Sequence, residues 1–302
     1  MTDTKPNAND WALLLLLSMI WGGSFMFVGV AVKELPALLI VFARVGLAAL
    51  ILIPVHLIVQ GPLPRDGKTW FAAGGMSVLN NVLPFTAIAW GQHYLGSGMA
   101  SVINATTPMF AVIFMALFGL EALILRKVLA LGLGLVGVLV LKGGGFGDLG
   151  PQSLGILAVS FASMCYGLTT VWAKRFLVGI APMTTATCQL IVSGSIMAVL
   201  AFGFSEPALY VKASWQTWEA LIAIAALSTA VAYLIFFRII AKAGPSFVAL
   251  VTMLVPLSAI VLGIVVLQES LSLHEFIGAA IIIAALAIID GRVLRLFQVK
   301  RA

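Results

Sequence analysis

Charge is what this 302-residue chain has least of: Asp, Glu, Lys and Arg make up 9% of it, against 62% apolar residues. A water-soluble chain of that length could not hide so much apolar surface, so lipid must be part of its solvent. Cysteine is nearly missing as well. Cys165 and Cys188 are the only two, and both fall inside apolar runs without metal-ligand spacing. That excludes a disulfide framework or thiolate metal site and leaves two small packing residues. His56, His93 and His274 complete the list of imidazoles, all near the ends of apolar runs. No nucleotide-binding domain is present, which excludes ATP-driven work by this chain alone.

What is there is a series of long apolar runs. Windows of about 18–25 residues suited to crossing a bilayer fall at 11–32, 36–59, 69–91, 97–119, 123–142, 153–173, 181–204, 218–240, 246–267 and 274–290. The run from Trp11 is long enough to be a span itself, so no cleaved leader is expected. All connections are short. The stretch Lys142-Gly-Gly-Gly-Phe-Gly-Asp-Leu-Gly-Pro151 reads as a linker between halves. The expected fold is therefore all-α and integral to the membrane, with ten transmembrane helices in two five-helix repeats, 1–147 and 148–302. An odd number of spans per repeat makes the second copy inverted.

Lys and Arg distribute to one side of that arrangement. With the N-terminus inside, cytoplasmic segments carry Lys5, Arg65, Lys68, Arg126, Lys127, Lys174, Arg175, Arg238, Lys242, Arg292, Arg295, Lys300 and Arg301. The other side carries only Lys33, Lys142 and Lys212. This bias predicts cytoplasmic termini. It also accounts for the net charge of +6 without any nucleic-acid partner. Trp11, Trp70, Trp90, Trp172, Trp215 and Trp218 sit near span ends, as interfacial rings do. Trp21 lies deeper, roughly 15 Å into the first span at 1.5 Å per residue.

The halves repeat their polar residues. Pro108 and Glu121 recur as Pro256 and Glu269 at a shift of 148. The same shift pairs Asn80 with Ser228, Asn81 with Thr229, Phe85 with Tyr233, and Asn104 with Thr252. A shift of 145 pairs Trp21-Gly22 with Tyr166-Gly167, Ser24 with Thr169, and Arg44 with Gln189. Asn80, Asn104 and Thr252 each lie four residues before a proline: Pro84, Pro108 and Pro256. Proline lacks the N–H that would bond the carbonyl four residues back. Each site then offers a freed acceptor beside a polar side chain, tolerable where it faces protein or a watery cavity. A kinked, cavity-lining role competes with plain kinking for packing, with Asn and Thr bonding across helices.

Arg44 is the one basic residue deep in a span, and no Asp, Glu or Lys lies deep enough to pair with it. Such a charge is costly and by default a functional candidate. It either binds an anionic substrate group or clamps helix-end carbonyls. Glu121 and Glu269 lie at span ends and read as interfacial caps rather than proton carriers. Ser272-Leu-His-Glu275 is a capping-box pattern. Gly132-Leu-Gly-Leu-Val-Gly137 spells a dinucleotide fingerprint, yet it lies within an apolar run and reads as helix packing. An intramembrane enzyme would need a nucleophile with a base, or paired acids; the spans hold neither. A passive pore is the remaining alternative.

Taken together, Trp21-Gly-Gly-Ser-Phe25, Arg44, Ala100-Ser-Val-Ile-Asn-Ala-Thr-Thr-Pro108, Glu121, and Pro256 through Glu269 resemble the drug/metabolite transporter superfamily, EamA type, with two tandem domains. The resemblance covers nearly the whole chain and rests on the duplicated ten-span pattern. It implies an inverted-repeat carrier with helices one to four and six to nine around a central cavity, and the fifth and tenth outside. Members commonly export amino acids, metabolites or toxic compounds. The second copy departs from the first, with Gln189 standing for Arg44 and Tyr166 for Trp21.

The expectation is a plasma-membrane secondary transporter exporting a small amphipathic solute by alternating access. Its site would comprise Trp21, Ser24, Arg44, Asn80, Asn81, Asn104, Tyr166, Gln189, Thr229, Tyr233 and Thr252. Asn, Gln and Thr would take polar groups, Trp and Tyr an apolar part, and Arg44 a carboxylate. No cofactor or metal is expected. The expected partners are the solute, membrane lipids and, through membrane helices, a second copy.

Overall fold

A computed structural model describes residues 7–143 and 150–291, and every regular element among them is helical. Residues 144–149 of the linker lie outside the described residues, as do Lys5, Arg292, Arg295, Lys300 and Arg301 of the charge count. The main helices are α1 (Ala8–Ala31), α2 (Ala37–Val59), α3 (Gly67–Gly91), α4 (Ser97–Leu117), α5 (Leu125–Leu141), α6 (Pro151–Phe176), α7 (Pro182–Phe204), α8 (Trp215–Ile240), α9 (Val251–Leu267) and α10 (Leu273–Asp290). Eight of these are long and apolar enough to cross a bilayer; α9 is a shorter apolar helix and α5 has 17 residues. This is an all-α integral membrane architecture.

Helix boundaries follow from capping chemistry. Asn7 and Asp10 form a reciprocal capping box on α1. Asp66 and Ser214 accept from Thr69 N and Thr217 N at 2.7 and 3.3 Å, closing the first turns of α3 and α8. Pro151 and Pro182 open α6 and α7 at the position where proline costs no hydrogen bond. At α10 the expected capping box forms: Glu275 accepts from Ser272 N at 2.7 Å, and the serine hydroxyl also meets His274 Nε2 at 3.1 Å.

The run expected to be one span over 246–267 is divided. A short helix, Pro245–Val248, precedes α9. Its counterpart α4 is likewise interrupted, with α-helix over Ser97–Asn104 and Thr107–Leu117. Pro108 is the second residue of the latter piece, whereas Pro256 is carried inside α9. The carbonyl that Pro108 frees is taken up locally: Asn104 O accepts from the Thr107 hydroxyl at 2.7 Å and the Ser163 hydroxyl at 3.4 Å.

Close packing is concentrated at small residues, as expected where lipid supplies no hydrophobic drive between helices. A methyl on Gly22 of α1 would lie 2.8 Å from Ala259 N of α9, and one on Gly167 of α6 would lie 2.8 Å from Ala111 N of α4. The two close approaches occupy matching positions in the two halves. Helix α2 packs against α7, and α5 pairs with α10, where Gly137 and Gly278 admit Ile282 and Leu141. Large apolar side chains such as Leu50, Ile58, Phe202 and Val199 stay exposed on the outer faces. Cys165 and Cys188 are free and buried.

One irregularity was not anticipated. Both α3 and α8 contain a π-helical turn, Ser77–Val82 and Ala226–Val231. These turns carry Asn80, Asn81, Ser228 and Thr229. A π turn widens the helix by one residue, leaves backbone groups loosely paired and re-aims the side chains it carries.

Candidate functional site

The two π turns face a seam where α2, α3, α7 and α8 meet. From α2, the buried Arg44 donates through Nε to Thr229 Oγ1 at 3.1 Å. Thr229 in turn donates to the carbonyl of Ile224, five residues back and just before its π turn, at 2.9 Å. The guanidinium lies over the Phe85 ring, 3.6 Å from its centroid. Tyr166 and Tyr233 are its electrostatic neighbours. Among the described residues no carboxylate pairs with Arg44, and its terminal nitrogens donate to no protein acceptor. Those nitrogens are not among the sealed, unpartnered atoms of the interior, so they border accessible space. A guanidinium carries five donors in a planar fork; here a single one is engaged.

Beside Arg44 lies a cluster of amides around one phenol. Asn80 and Gln189 donate to Tyr233 Oη at 3.3 and 3.2 Å, and Tyr233 donates to Asn81 Oδ1 at 3.4 Å. Asn81 also accepts from Asn80 and donates to Ser193 Oγ at 3.1 Å. Gln189 Oε1 is buried with no partner. The cluster mirrors itself across the halves: Arg44 meets Thr229 and Phe85, while its counterpart Gln189 meets Tyr233, which bonds Asn81.

The structure thus joins Arg44, Asn80, Asn81, Gln189, Thr229 and Tyr233, with Tyr166 adjacent. It does not bring the other candidates into that network. Trp21 packs on Phe236 at 5.5 Å. Ser24 and Thr252 donate to carbonyls three residues back in their own chain segments, Trp21 O and Ala249 O. Asn104 keeps a buried, unpartnered Oδ1. Sequence reasoning did not single out Ser193 as a partner of Asn81 or Phe85 as the platform for Arg44. Phe85 was visible as the counterpart of Tyr233; Ser193 gave no comparable signal.

Glu269 also found a role. Its carboxylate accepts from Ser97 N at 2.7 Å and Gly98 N at 3.1 Å at the start of α4. Glu121 instead pairs with Lys127.

A multi-pass helical bundle with a buried polar seam and an unpaired internal cation has the architecture of a membrane transport protein. The sequence matches the EamA-like transporter family twice, over residues 10–142 and 153–290, and the chain belongs to that family. It is 27% identical over 292 residues to the uncharacterized transporter YvbV of Bacillus subtilis (strain 168), spanning 95% of this chain and 93% of that one. It is 24% identical to the uncharacterized inner membrane transporter YedA of Escherichia coli (strain K12), spanning 91% of this chain and 89% of that one. Protein PecM of Dickeya dadantii (strain 3937) is 25% identical, with 90% and 89% covered. A solved crystal structure with 18% identity superposes with a TM-score of 0.65, covering 94% of this chain and 98% of that one; it is a likeness of fold. Membership makes this a transport protein and not an enzyme.

Proposed function

We propose that the chain is a secondary carrier that exports a small amphipathic solute bearing an anionic group, by alternating access across a plasma membrane. The observation that carries this reading is Arg44: a buried guanidinium with open donors, no carboxylate partner among the described residues, and a polar cluster beside it. A buried charge left unpaired is expensive, and a carboxylate arriving with the solute would offset that cost. The amides and Thr229 would take further polar groups, and Tyr166, Tyr233 and Trp21 an apolar portion, with Ser24, Asn104 and Thr252 met along the path. In this reading Pro84, Pro108 and Pro256 kink the lining helices. The chain has ten spans in two inverted repeats, 1–147 and 148–302, with both termini cytoplasmic. The matched glycine approaches and matched π turns support the repeat.

The test begins with thermal stabilisation of purified protein by amino acids and small carboxylated metabolites. Hits are then carried into proteoliposomes, where a carrier gives saturable flux accelerated by solute on the far side. Flux that neither saturates nor responds to solute in trans would mark a pore. Arg44→Ala and Asn104→Leu should abolish transport in folded protein; loss of fold in both would make these residues structural.

A further inference from the structure

Glu121 and Glu269 stand 148 positions apart, and their backbones do the same thing. Glu269 N donates to Gly263 O at 3.0 Å, and Glu121 N to Met115 O at 3.2 Å, acceptors that are themselves 148 positions apart. Their side chains differ. The Glu269 carboxylate holds Ser97 N and Gly98 N. Glycines make room for it: a methyl on Gly263 would lie 2.6 Å from Oε2, and one on Gly96 3.0 Å. In the same layer Gln92 Nε2 and Ser97 Oγ donate to Phe25 O at 2.9 and 3.1 Å. Helices α1, α3, α4 and α9 are thereby fastened together at one end of the molecule.

Glu121 follows the opposite end of α4, about 30 Å away at 1.5 Å per residue. Its side chain is 47% exposed and pairs with Lys127 on α5. The segment that corresponds to Gly96–Met99 is Gly244–Phe247, and Glu121 makes no hydrogen bond to it.

We propose that Glu269 and Glu121 are paired latches, one at each end of the molecule, made in alternation, and that the described state has the Glu269 latch closed and the Glu121 latch open. The proposal rests on the carrier reading above. In the opposite state Glu269 releases Ser97 and Gly98 to water, and Glu121 leaves Lys127 for the backbone N–H of Ser246, the counterpart of Gly98. The two latches are unequal. Pro245 stands where Ser97 stands in the other half and has no N–H to give, so the Glu121 latch lacks one charge-assisted bond. The empty carrier therefore rests in the state with Glu269 docked.

The full-length protein, carrying Cys165→Ala and Cys188→Ala, is spin-labelled in lipid nanodiscs without solute. One label pair sits at the exposed positions His93 and Ser270, the other at the exposed positions Ala122 and Arg238. Distances are read by double electron–electron resonance. Glu269→Gln should raise the population with a longer 93–270 and a shorter 122–238 distance by roughly tenfold, the scale of a lost charged hydrogen bond. Lys127→Met, which frees Glu121 far from the Glu269 latch, should shift the population the same way. Glu121→Gln should deplete it. If the two distances change in the same sense, or Lys127→Met leaves them unmoved, the latches do not alternate. Lys127→Met decides the matter alone if Glu269→Gln does not fold. The readout needs no solute, so a failed transport assay and a failed latch are separate results.

Discussion

Arg44 rests on Phe85 from its own half and hydrogen-bonds Thr229 from the other, so one side chain stitches both repeats at the polar seam. The stacked, planar geometry leaves the terminal nitrogens as an open fork. A lysine could supply the charge but neither the fork nor the stack.

Arg44→Lys is therefore expected to weaken solute-induced thermal stabilisation about tenfold or more in concentration, by analogy with the loss of a bidentate charged pair. Arg44→Met should abolish that stabilisation while leaving the empty protein as stable as wild type or more so, because an unpaired buried charge has been removed. Melting curves with and without solute check both.

Tyr233 is the hub of the amide cluster. Tyr233→Phe removes an acceptor from Asn80 and Gln189 and a donor from Asn81. Leaving buried amides short of partners should cost about 1–3 kcal/mol. Unfolding of the variant in mixed micelles measures the loss, and a value near zero would mean that water already serves these groups.

Glycine substitutions should divide by location. Gly22→Ala and Gly167→Ala push a methyl to 2.8 Å from backbone nitrogen of a neighbouring helix and should destabilise by about 1–3 kcal/mol. Gly132→Ala, with nothing within 4 Å of the added carbon, should be neutral or stabilise by up to about 1 kcal/mol through helix propensity. Comparative melting of the three variants is sufficient.

Asp66 lies in the loop before α3, where the Thr69 N–H holds its carboxyl below the ordinary carboxylate value. A folded value below the unfolded one means that the cap's contribution is complete above the unfolded value, about pH 3.9. It is lost as pH falls through the folded value. The melting difference between wild type and Asp66→Ala should hold constant from pH 8 to 5 and shrink below about pH 4. A difference that faded near neutral pH would point to another titrating group.

Much of this molecule was legible because lipid leaves few options: apolar runs of bilayer length had to be helices, and the Ser272–Glu275 capping box declared the start of α10. Matching polar depth in the halves located Arg44, Gln189, Asn81 and Thr229. Depth is only one coordinate, however. Trp21, Ser24, Asn104 and Thr252 were matched in the same way yet stay outside the network, and Ser24 and Thr252 satisfy their hydroxyls within three residues. The π turns were invisible because one extra residue in a helix changes neither composition nor length enough to register. Nor did the sequence reveal that Glu121 and Glu269, alike in spacing, would take different partners.

Those π turns also bear on descent. Each adds one residue that an α-helix of the same span would not need, at corresponding places in α3 and α8. Two separate insertions would each have had to survive alone, rotating everything beyond them against an unaltered partner. A single insertion in an ancestral five-helix unit, before its gene was doubled, requires that accident only once. On that account the widened turn is older than the two-repeat chain, and both halves inherited it.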